Sequence, residues 1–306
     1  MHNAEPNPLR KIPGHMRRPA IALMGEFSAG KSTLTNLLIG APALPVQVTA
    51  TQLPPVWITY GDGPPTREDL DGGSHPTDLA DIQSIPLDET MCLRVHQKAE
   101  ILTCCDLIDM PGISDPNMSP EVWQRVLPQA DAVIWCTHAT QAWRQSEAAV
   151  WDMVAGDLRS RSLLLVTRFD KVTKAEDKKR LVRRIRKETD GLFAGVYPVS
   201  LTGALAAGDD RQVWENSGAE EFIQALIDLI HELGNTMGSR VEQSLEKPGE
   251  ADGATGVSGR FRARAEERHN VIPISDSVAP KRVVPLRPVA ADGPRRARPQ
   301  DGSRPA

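Results

Sequence analysis

The feature that most restricts this chain is a glycine-rich segment between an apolar run and a helical pattern. Residues 25–32 read Gly-Glu-Phe-Ser-Ala-Gly-Lys-Ser and fit the pattern G-x-x-x-x-G-K-[S/T]. They directly follow the apolar run 20–24, and a helix is predicted to begin at Lys31. A loop in this context wraps its backbone N–H groups around phosphates, and the helix N-terminus adds positive potential. The sequence therefore predicts a phosphate-binding loop.

Each residue type in this loop has a physical reason to be there. The glycines let the backbone bend around a phosphate chain. The side chain of Lys31 is long enough to reach the outer phosphates, and the hydroxyl of Ser32 can hold Mg²⁺. The predicted nucleotide contacts of this segment are Gly25, Ser28, Ala29, Gly30, Lys31, Ser32 and Thr33.

Short apolar runs alternate with helical patterns through residues 20–237. The strand-like runs are 20–24, 56–60, 91–95, 101–108, 132–136, 162–166 and 196–200, and helices are predicted from Lys31 and over 143–155, 175–189 and 219–233. This alternation favours right-handed crossovers and a mainly parallel sheet with helices on both faces. We therefore predict a doubly wound α/β domain.

Composition predicts the parts that surround this domain. Residues 1–19 form a flexible N-terminal segment, and residues 61–88, rich in Gly, Pro, Asp and Ser, form an irregular insertion between strands. Residues 238–306 are predicted to be a disordered basic tail, because they are rich in Pro and Gly and have few groups to bury. From Lys247 onwards there are twelve basic and seven acidic residues, although the whole chain has a net charge of −4.

Two basic segments leave alternatives open. The tail is either a solubilising linker or an electrostatic contact with an anionic membrane or with RNA. Residues 178–187 place seven basic residues around a helix with one apolar stripe. That helix is either an ordinary solvated face or a surface for an acidic partner, RNA or lipid.

The apolar runs also indicate where the protein resides. None approaches the roughly eighteen residues that a membrane-spanning helix needs. The first eighteen residues contain three prolines and scattered charges without a continuous apolar stretch, so we predict neither a signal peptide nor an anchor. The expected location is the cytoplasm, with peripheral attachment to the inner membrane as an open alternative.

A second motif, Asp-Met-Pro-Gly, occupies residues 109–112. Asp109 ends an apolar run, and the carboxyl ends of strands are where open α/β sheets bind ligands. We expect its carboxylate to hold Mg²⁺ through water and the N–H of Gly112 to face the terminal phosphate.

A third motif, Thr-Arg-Phe-Asp, occupies residues 167–170 at the end of another apolar run. The carboxylate of Asp170 can accept the N1 and 2-amino protons of guanine, and adenine has no such pair of donors. Thr167 and Arg168 are predicted to contact the nucleotide too. Ser200 ends the last run, where backbone N–H groups could meet the guanine carbonyl. The alternative role for Asp170 is that of a helix cap.

In this order, the motifs resemble the G domain of translation-factor-related P-loop GTPases, and residues 26–40 resemble bacterial dynamin-like GTPases in particular. The resemblance covers about residues 20–237 and implies GTP and GDP as ligands with Mg²⁺. It also implies a homodimer formed through the G domain. It further implies a threonine that closes on Mg²⁺ and the γ-phosphate. We favour Thr51 for that role, with Thr49 as the alternative.

The chain departs from these relatives at positions that matter for hydrolysis. Where Ras-like proteins have a water-orienting glutamine, this chain has Ile113. Ser28 matches the polar residue that dynamin-like proteins use within the loop, whereas Phe27 stands where they often have glutamine. Arg168 replaces the usual lysine of the guanine motif. The assigned catalytic residues are Ser28, Lys31 and Thr51, and the assigned Mg²⁺ ligands are Ser32, Thr51 and Asp109.

We therefore predict a GTPase that acts as a nucleotide-controlled switch, slow without dimerisation or a partner. Two alternatives stay open on the sequence. One is a GTP-sensing scaffold with negligible turnover, and the other is a ribosome-assembly GTPase whose basic segments contact RNA.

Overall fold

A nine-stranded sheet forms the centre of the computed structural model, which describes residues 17–42, 53–114, 118–154 and 156–246. Along the sheet the strands follow the order β4-β3-β5-β2-β6-β1-β7-β8-β9. Their bounds are β1 Ala20–Gly25, β2 Val56–Tyr60, β3 Thr66–Asp69, β4 Ser74–Pro76, β5 Thr90–Gln97, β6 Asp106–Asp109, β7 Ala132–His138, β8 Leu163–Thr167 and β9 Gly195–Pro198. The neighbours β6, β1, β7, β8 and β9 pair in parallel. The predicted doubly wound, mainly parallel α/β sheet is confirmed.

Helices cover both faces of this sheet. They are α1 Lys31–Ile39, α2 Glu121–Gln124, α3 Gln145–Met153, α4 Gly156–Arg159, α5 Ala175–Glu188, α6 Leu201–Ala206, α7 Arg211–Asn216 and α8 Ala219–Glu246. One apolar core joins the sheet to α1, α6 and α8, and a second joins it to α2, α3, α4 and α5. Within the described residues, no helix has both the length and the apolar character required to cross a membrane.

The apolar runs become the central strands because both of their faces are buried. Every residue of β1 is buried, as is every residue of β8. A strand covered by helices on both sides has no solvated face, so its sequence is continuously apolar rather than alternating. This burial fixes β1 between β6 and β7 and brings the ends of these strands to one edge of the sheet.

The insertion between β2 and β5 is more regular than predicted. Residues 61–88 include β3 and β4, which pair antiparallel, and β3 also pairs antiparallel with β5. The prediction of an irregular segment was therefore wrong for this hairpin. The two strands are short and polar, with Gly72 and Gly73 at the turn, so they lack the apolar alternation that indicates a strand in sequence.

Two boundaries predicted from the sequence also differ from those in the structure. In the run 101–108, residues 101–103 belong to a 3-10 turn at Glu100–Thr103, and the strand begins only at Asp106. Leu102 is fully buried in that turn, and short apolar runs do not distinguish a buried turn from a strand. The last helix, predicted to end near Leu233, continues to Glu246. Residues 238–246, predicted as disordered tail, are therefore helical.

One apolar stripe of α8 packs against the sheet. Phe222, Leu226 and Leu233 are at most 3% exposed and contact the core that includes α1. We expect Leu226→Ala to lower the free energy of unfolding by about 2 to 5 kcal/mol, because the substitution leaves a cavity in a close-packed core.

Urea denaturation followed by circular dichroism measures this change. Glu232→Ala, at an exposed site of the same helix, is the control and should stay within about 0.5 kcal/mol of the parent. Equal losses in the two variants would contradict the core position of Leu226.

Candidate nucleotide-binding site

The loop between β1 and α1 adopts backbone conformations that its glycines permit. Gly25 has a φ of 142°, and a Cβ at this position would lie 2.1 Å from the carbonyl oxygen of Cys136 in β7. Gly30 has a φ of 97° and precedes α1 without a side-chain cap for the helix N-terminus. Ser28, between them, is exposed and has a positive φ of 58°. The loop therefore turns tightly and leaves the first N–H groups of α1 free of a side-chain partner.

Lys31 is buried inside this loop. Its Nζ donates hydrogen bonds to the carbonyl oxygens of Gly25 at 3.0 Å and of Glu26 at 2.8 Å. Burial lowers the pKa of Lys31, and the nearby carboxylate of Asp109 acts in the opposite direction. The ammonium is thus held under the concave side of the loop, where an anionic ligand would replace the two carbonyl oxygens as its partner.

A hydroxyl and a carboxylate meet at the start of α1. Ser32 Oγ donates a hydrogen bond to Asp109 Oδ2 at 3.2 Å, and Thr35 Oγ1 donates to the same oxygen at 3.4 Å. Burial raises the pKa of Asp109, although Lys31 and the two hydroxyl groups lower it. Mg²⁺ prefers oxygen ligands and uses one or two protein groups together with water and phosphate. The oxygen atoms of Ser32 and Asp109 fit that donor set.

The Asp-Met-Pro-Gly segment lies directly against the phosphate loop. A Cβ on Gly112 would lie 3.0 Å from the backbone N and Cα of Phe27, so a side chain here would push the two loops apart by a few tenths of an ångström. The N–H of Ile113 donates to the carbonyl oxygen of Gly25 at 3.2 Å, and the N–H of Phe27 donates to Ser114 Oγ at 3.1 Å. The two loops therefore form one connected surface.

The residues predicted to recognise the base gather at the ends of β8 and β9. Asp170 Oδ1 accepts a hydrogen bond from Ser200 Oγ at 2.9 Å. The guanidinium of Arg168 donates to the carbonyl oxygen of Ser28 at 3.0 Å, which joins this group to the phosphate loop. Thr167 Oγ1 donates to the carbonyl oxygen of Ala29 at 2.7 Å. Sequence motifs far apart in the chain therefore meet in space.

A small cavity opens between the phosphate loop and the residues at the end of β8. It is lined by Gly30, Thr33, Thr167, Arg168, Leu201 and Thr202. The cavity lies beside the N-terminus of α1 and next to Arg168. Arg168 precedes Asp170 by two residues in the sequence. Of the assigned site residues, Thr51 lies outside the described residues, as does its alternative Thr49. Their roles stay predictions.

An ion pair that the sequence analysis did not predict connects the phosphate loop to the start of α3. The carboxylate of Glu26 contacts Arg144 at 3.2 Å and accepts a hydrogen bond from Ser146 Oγ at 2.8 Å. Glu26 lies at a variable position of the loop pattern, and Arg144 and Ser146 lie at the start of α3, far along the chain. The pattern alone gave no signal of this pairing.

A buried carboxylate holds the segment that carries Arg144. Glu147 is 2% exposed and accepts hydrogen bonds from Trp135 Nε1 at 3.0 Å, Thr137 Oγ1 at 2.9 Å and the N–H of Arg144 at 3.0 Å. Burial raises the pKa of Glu147, and these three donors lower it. Buried polar groups need such partners, so Glu147 fixes the path of the chain from β7 into α3.

Comparison with known proteins finds similarity to dynamin-related sequences. Residues 21–169 match the sequence model of the Dynamin family. The chain is 22% identical over 223 residues to Dynamin-like protein 2 of Campylobacter jejuni, covering 71% of this chain and 35% of that protein. It is 27% identical over 303 residues to the isoniazid-induced protein IniC of Mycobacterium tuberculosis, covering 89% of this chain and 58% of that protein. It thus spans less than two thirds of the length of either relative.

A solved structure shares the fold. It shows an oligomerised bacterial dynamin pair, described as a mechanism for long-range sensing and tethering of membranes. The TM-score is 0.59 at 15% sequence identity, and the match covers 76% of this chain and 41% of that one.

The ion pair at Glu26 should influence anion binding. An unpaired carboxylate beside the loop would repel a polyphosphate, and Arg144 neutralises it. We therefore expect Arg144→Ala to weaken the affinity for GTP about fivefold, a modest effect because the pair is partly exposed and screened.

A double-mutant cycle separates this charge effect from loss of structure. In a Glu26→Gln background the repelling carboxylate is gone, so Arg144→Ala should change GTP affinity by less than about twofold. Titration calorimetry on the four proteins gives the coupling. The same fivefold loss in both backgrounds would show that Arg144 does not act through Glu26.

Proposed function

We propose that this chain, whose residues 21–169 match the sequence model of the Dynamin family, is a Mg²⁺-dependent GTPase that alternates between GTP-bound and GDP-bound states. The observation that carries the proposal is the convergence of three groups at one edge of the sheet. These are the loop that buries Lys31, the Ser32–Asp109 pair and the Asp170–Ser200 pair. Each group suits a different part of one guanine nucleotide.

In this proposal the phosphates of the nucleotide bind Lys31 and the start of α1. A bound polyphosphate accepts hydrogen bonds from the Nζ of Lys31 and from the uncapped N–H groups of the helix. Ser32 and Asp109 would hold Mg²⁺, and we assign Thr51 as a further ligand from the sequence. Bound Mg²⁺ neutralises phosphate charge and orients the terminal phosphates. The N–H of Gly112 is assigned to the terminal phosphate.

In this proposal the guanine base binds Asp170. Its second carboxylate oxygen and the hydrogen-bonded pair with Ser200 form an acceptor edge for the N1 and 2-amino protons of guanine. The guanidinium of Arg168 contacts the carbonyl oxygen of Ser28. We assign its aliphatic stem to lie along the base. Adenine has no matching pair of donors, so this edge favours GTP over ATP.

Hydrolysis needs a group that acts on the transition state. Ile113, next to Gly112, has no polar side chain to orient water, and its backbone N–H is already bonded to the loop. Ser28 is exposed at the phosphate loop, and we assign its hydroxyl to stabilise the attacking arrangement. In this proposal the arrangement becomes complete when two G domains pair. The neighbour of similar fold is an oligomerised bacterial dynamin pair.

Removing the charge at Lys31 tests the core of the proposal. Lys31→Ala should lower the affinity for GTP roughly a hundredfold, because it deletes a buried charged donor to the phosphates. Calorimetric titration with Mg²⁺ and GTP measures it. Lys98→Ala, an exposed lysine on another surface, should bind as the parent does. Unchanged affinity in Lys31→Ala would reject the nucleotide site.

Substitution at the base end tests specificity. The amide of Asp170→Asn can donate to the 2-carbonyl of xanthine while accepting from N1–H, so preference should shift from GTP toward XTP by roughly tenfold or more. Competition of the two nucleotides against a fluorescent GDP analogue measures the ratio. Asp177→Asn, an exposed acid in α5, is the matched control. A ratio that does not change would remove Asp170 as the base reader.

Turnover tests the catalytic assignment. The rate per molecule should be slow at low protein concentration and should rise as the concentration rises. Ser28→Ala should lower the stimulated rate about tenfold or more while leaving GTP affinity nearly unchanged, because its hydroxyl acts only in the transition state.

Single-turnover phosphate release, followed over a dilution series, gives both quantities. A rate that depends on neither concentration nor Ser28 would reject this mechanism and leave the binding site standing. Absence of turnover at all concentrations would instead favour a GTP-sensing scaffold.

A further inference from the structure

The outer face of α5 concentrates positive charge. Five basic side chains, all exposed, lie within an arc of about 120° at 3.6 residues per turn. They are Lys179, Arg180, Arg183, Arg186 and Lys187. The opposite side of the helix packs on the sheet through the fully buried Ile185, with Leu181 partly buried beside it. The orientation of the basic face toward solvent is therefore fixed by the core.

Little acidic charge balances this face. Glu176 lies 3.8 Å from Lys179, and Glu188 pairs at 3.8 Å with Arg184, which points to the flank and also donates to the carbonyl oxygen of Ala142. In the described part of the chain, the other four basic residues of the face have no acidic partner within 4 Å. Like charges at positions i and i+4 repel one another, so the pairs Lys179–Arg183 and Arg183–Lys187 do not stabilise the helix. Only Arg186 and Lys187, in the last turn, interact favourably with the helix dipole.

The charge is also local. Residues 1–246 include 24 basic and 33 acidic residues, so their net charge is negative. The positive charge of α5 is opposite in sign to that net charge. The segment from Lys247 adds a surplus of five positive charges close to the same domain in sequence. Two weak electrostatic contacts together attach a protein more firmly than either one alone.

We propose that the basic face of α5 docks on an anionic lipid surface. The row from Lys179 to Lys187 is about 12 Å long and presents ammonium and guanidinium groups side by side, which suits a plane of headgroup phosphates. No large exposed apolar side chain of the described residues lies on α5, so the helix adsorbs to the headgroups without inserting. The face also lacks aromatic rings, which single-stranded nucleic acids require for stacking. The inference rests on charge and exposure and does not depend on GTP binding.

Flotation with lipid vesicles tests the proposal on the full chain. One set of vesicles is pure phosphatidylcholine, and in the other about a third of the lipid is phosphatidylglycerol. The parent should bind only the second set, and the binding should weaken as salt is raised. Arg183→Gln/Lys187→Gln should bind those vesicles roughly thirty-fold more weakly, at about fivefold for each basic residue removed.

A matched variant controls for net charge. Lys98→Gln/Arg211→Gln removes two exposed positive charges from other surfaces and should bind nearly as well as the parent. Glutamine preserves helix propensity, so equal urea midpoints would show that the α5 variant is folded.

Three results would overturn the proposal. The first is parental vesicle binding by the α5 variant, which would assign any attachment to other parts of the chain. The second is equal binding of the parent to neutral and anionic vesicles. The third is a loss of affinity for a duplex RNA probe in the α5 variant without a loss for vesicles, which would assign the face to RNA. None of these results bears on the affinity for GTP.

Discussion

The close approach of β1 to β7 is the constraint on which the rest of the site depends. The carbonyl oxygen of Cys136 occupies the space that a side chain at position 25 would need, so the chain leaves β1 through a glycine. β1 pairs with β6 on its other side, which brings Asp109 to the same edge. Because neighbouring strands lie about 4.8 Å apart, the order of the strands sets the spacing of the functional groups.

Hydrogen bonds between the loops join these functional groups into one continuous surface. Arg168 and Thr167 bind backbone carbonyl oxygens of the phosphate loop, and the N–H of Ile113 binds a third. On the far side, Glu147 holds the segment from which Arg144 reaches Glu26. These contacts therefore form a continuous chain from one end of the site to the other.

Sequence alone predicted the buried strands, the sheet type and the motifs at strand ends, because continuous apolar runs and glycine spacing have few structural solutions. It failed where tertiary context decides. The polar hairpin β3–β4 forms because β5 offers an edge, and the 3-10 turn at Glu100–Thr103 forms where Leu102 can be buried. The pairing of Glu26 with Arg144 joins residues far apart in the chain, and no local pattern encodes that distance. Likewise α8 continues past its apolar stripe to Glu246, beyond the point where periodicity gives a signal.

The uncapped start of α1 has a thermodynamic consequence. Gly30 supplies no side-chain acceptor, so the N–H groups of the first turn are left for solvent or for a bound anion. Any such anion binds the folded chain and not the unfolded one, and its concentration then enters the folding equilibrium directly. At a hundredfold excess over the dissociation constant, this linkage adds about 2.7 kcal/mol. The resistance of the domain to unfolding and to proteolysis thereby becomes a readout of how much ligand surrounds it.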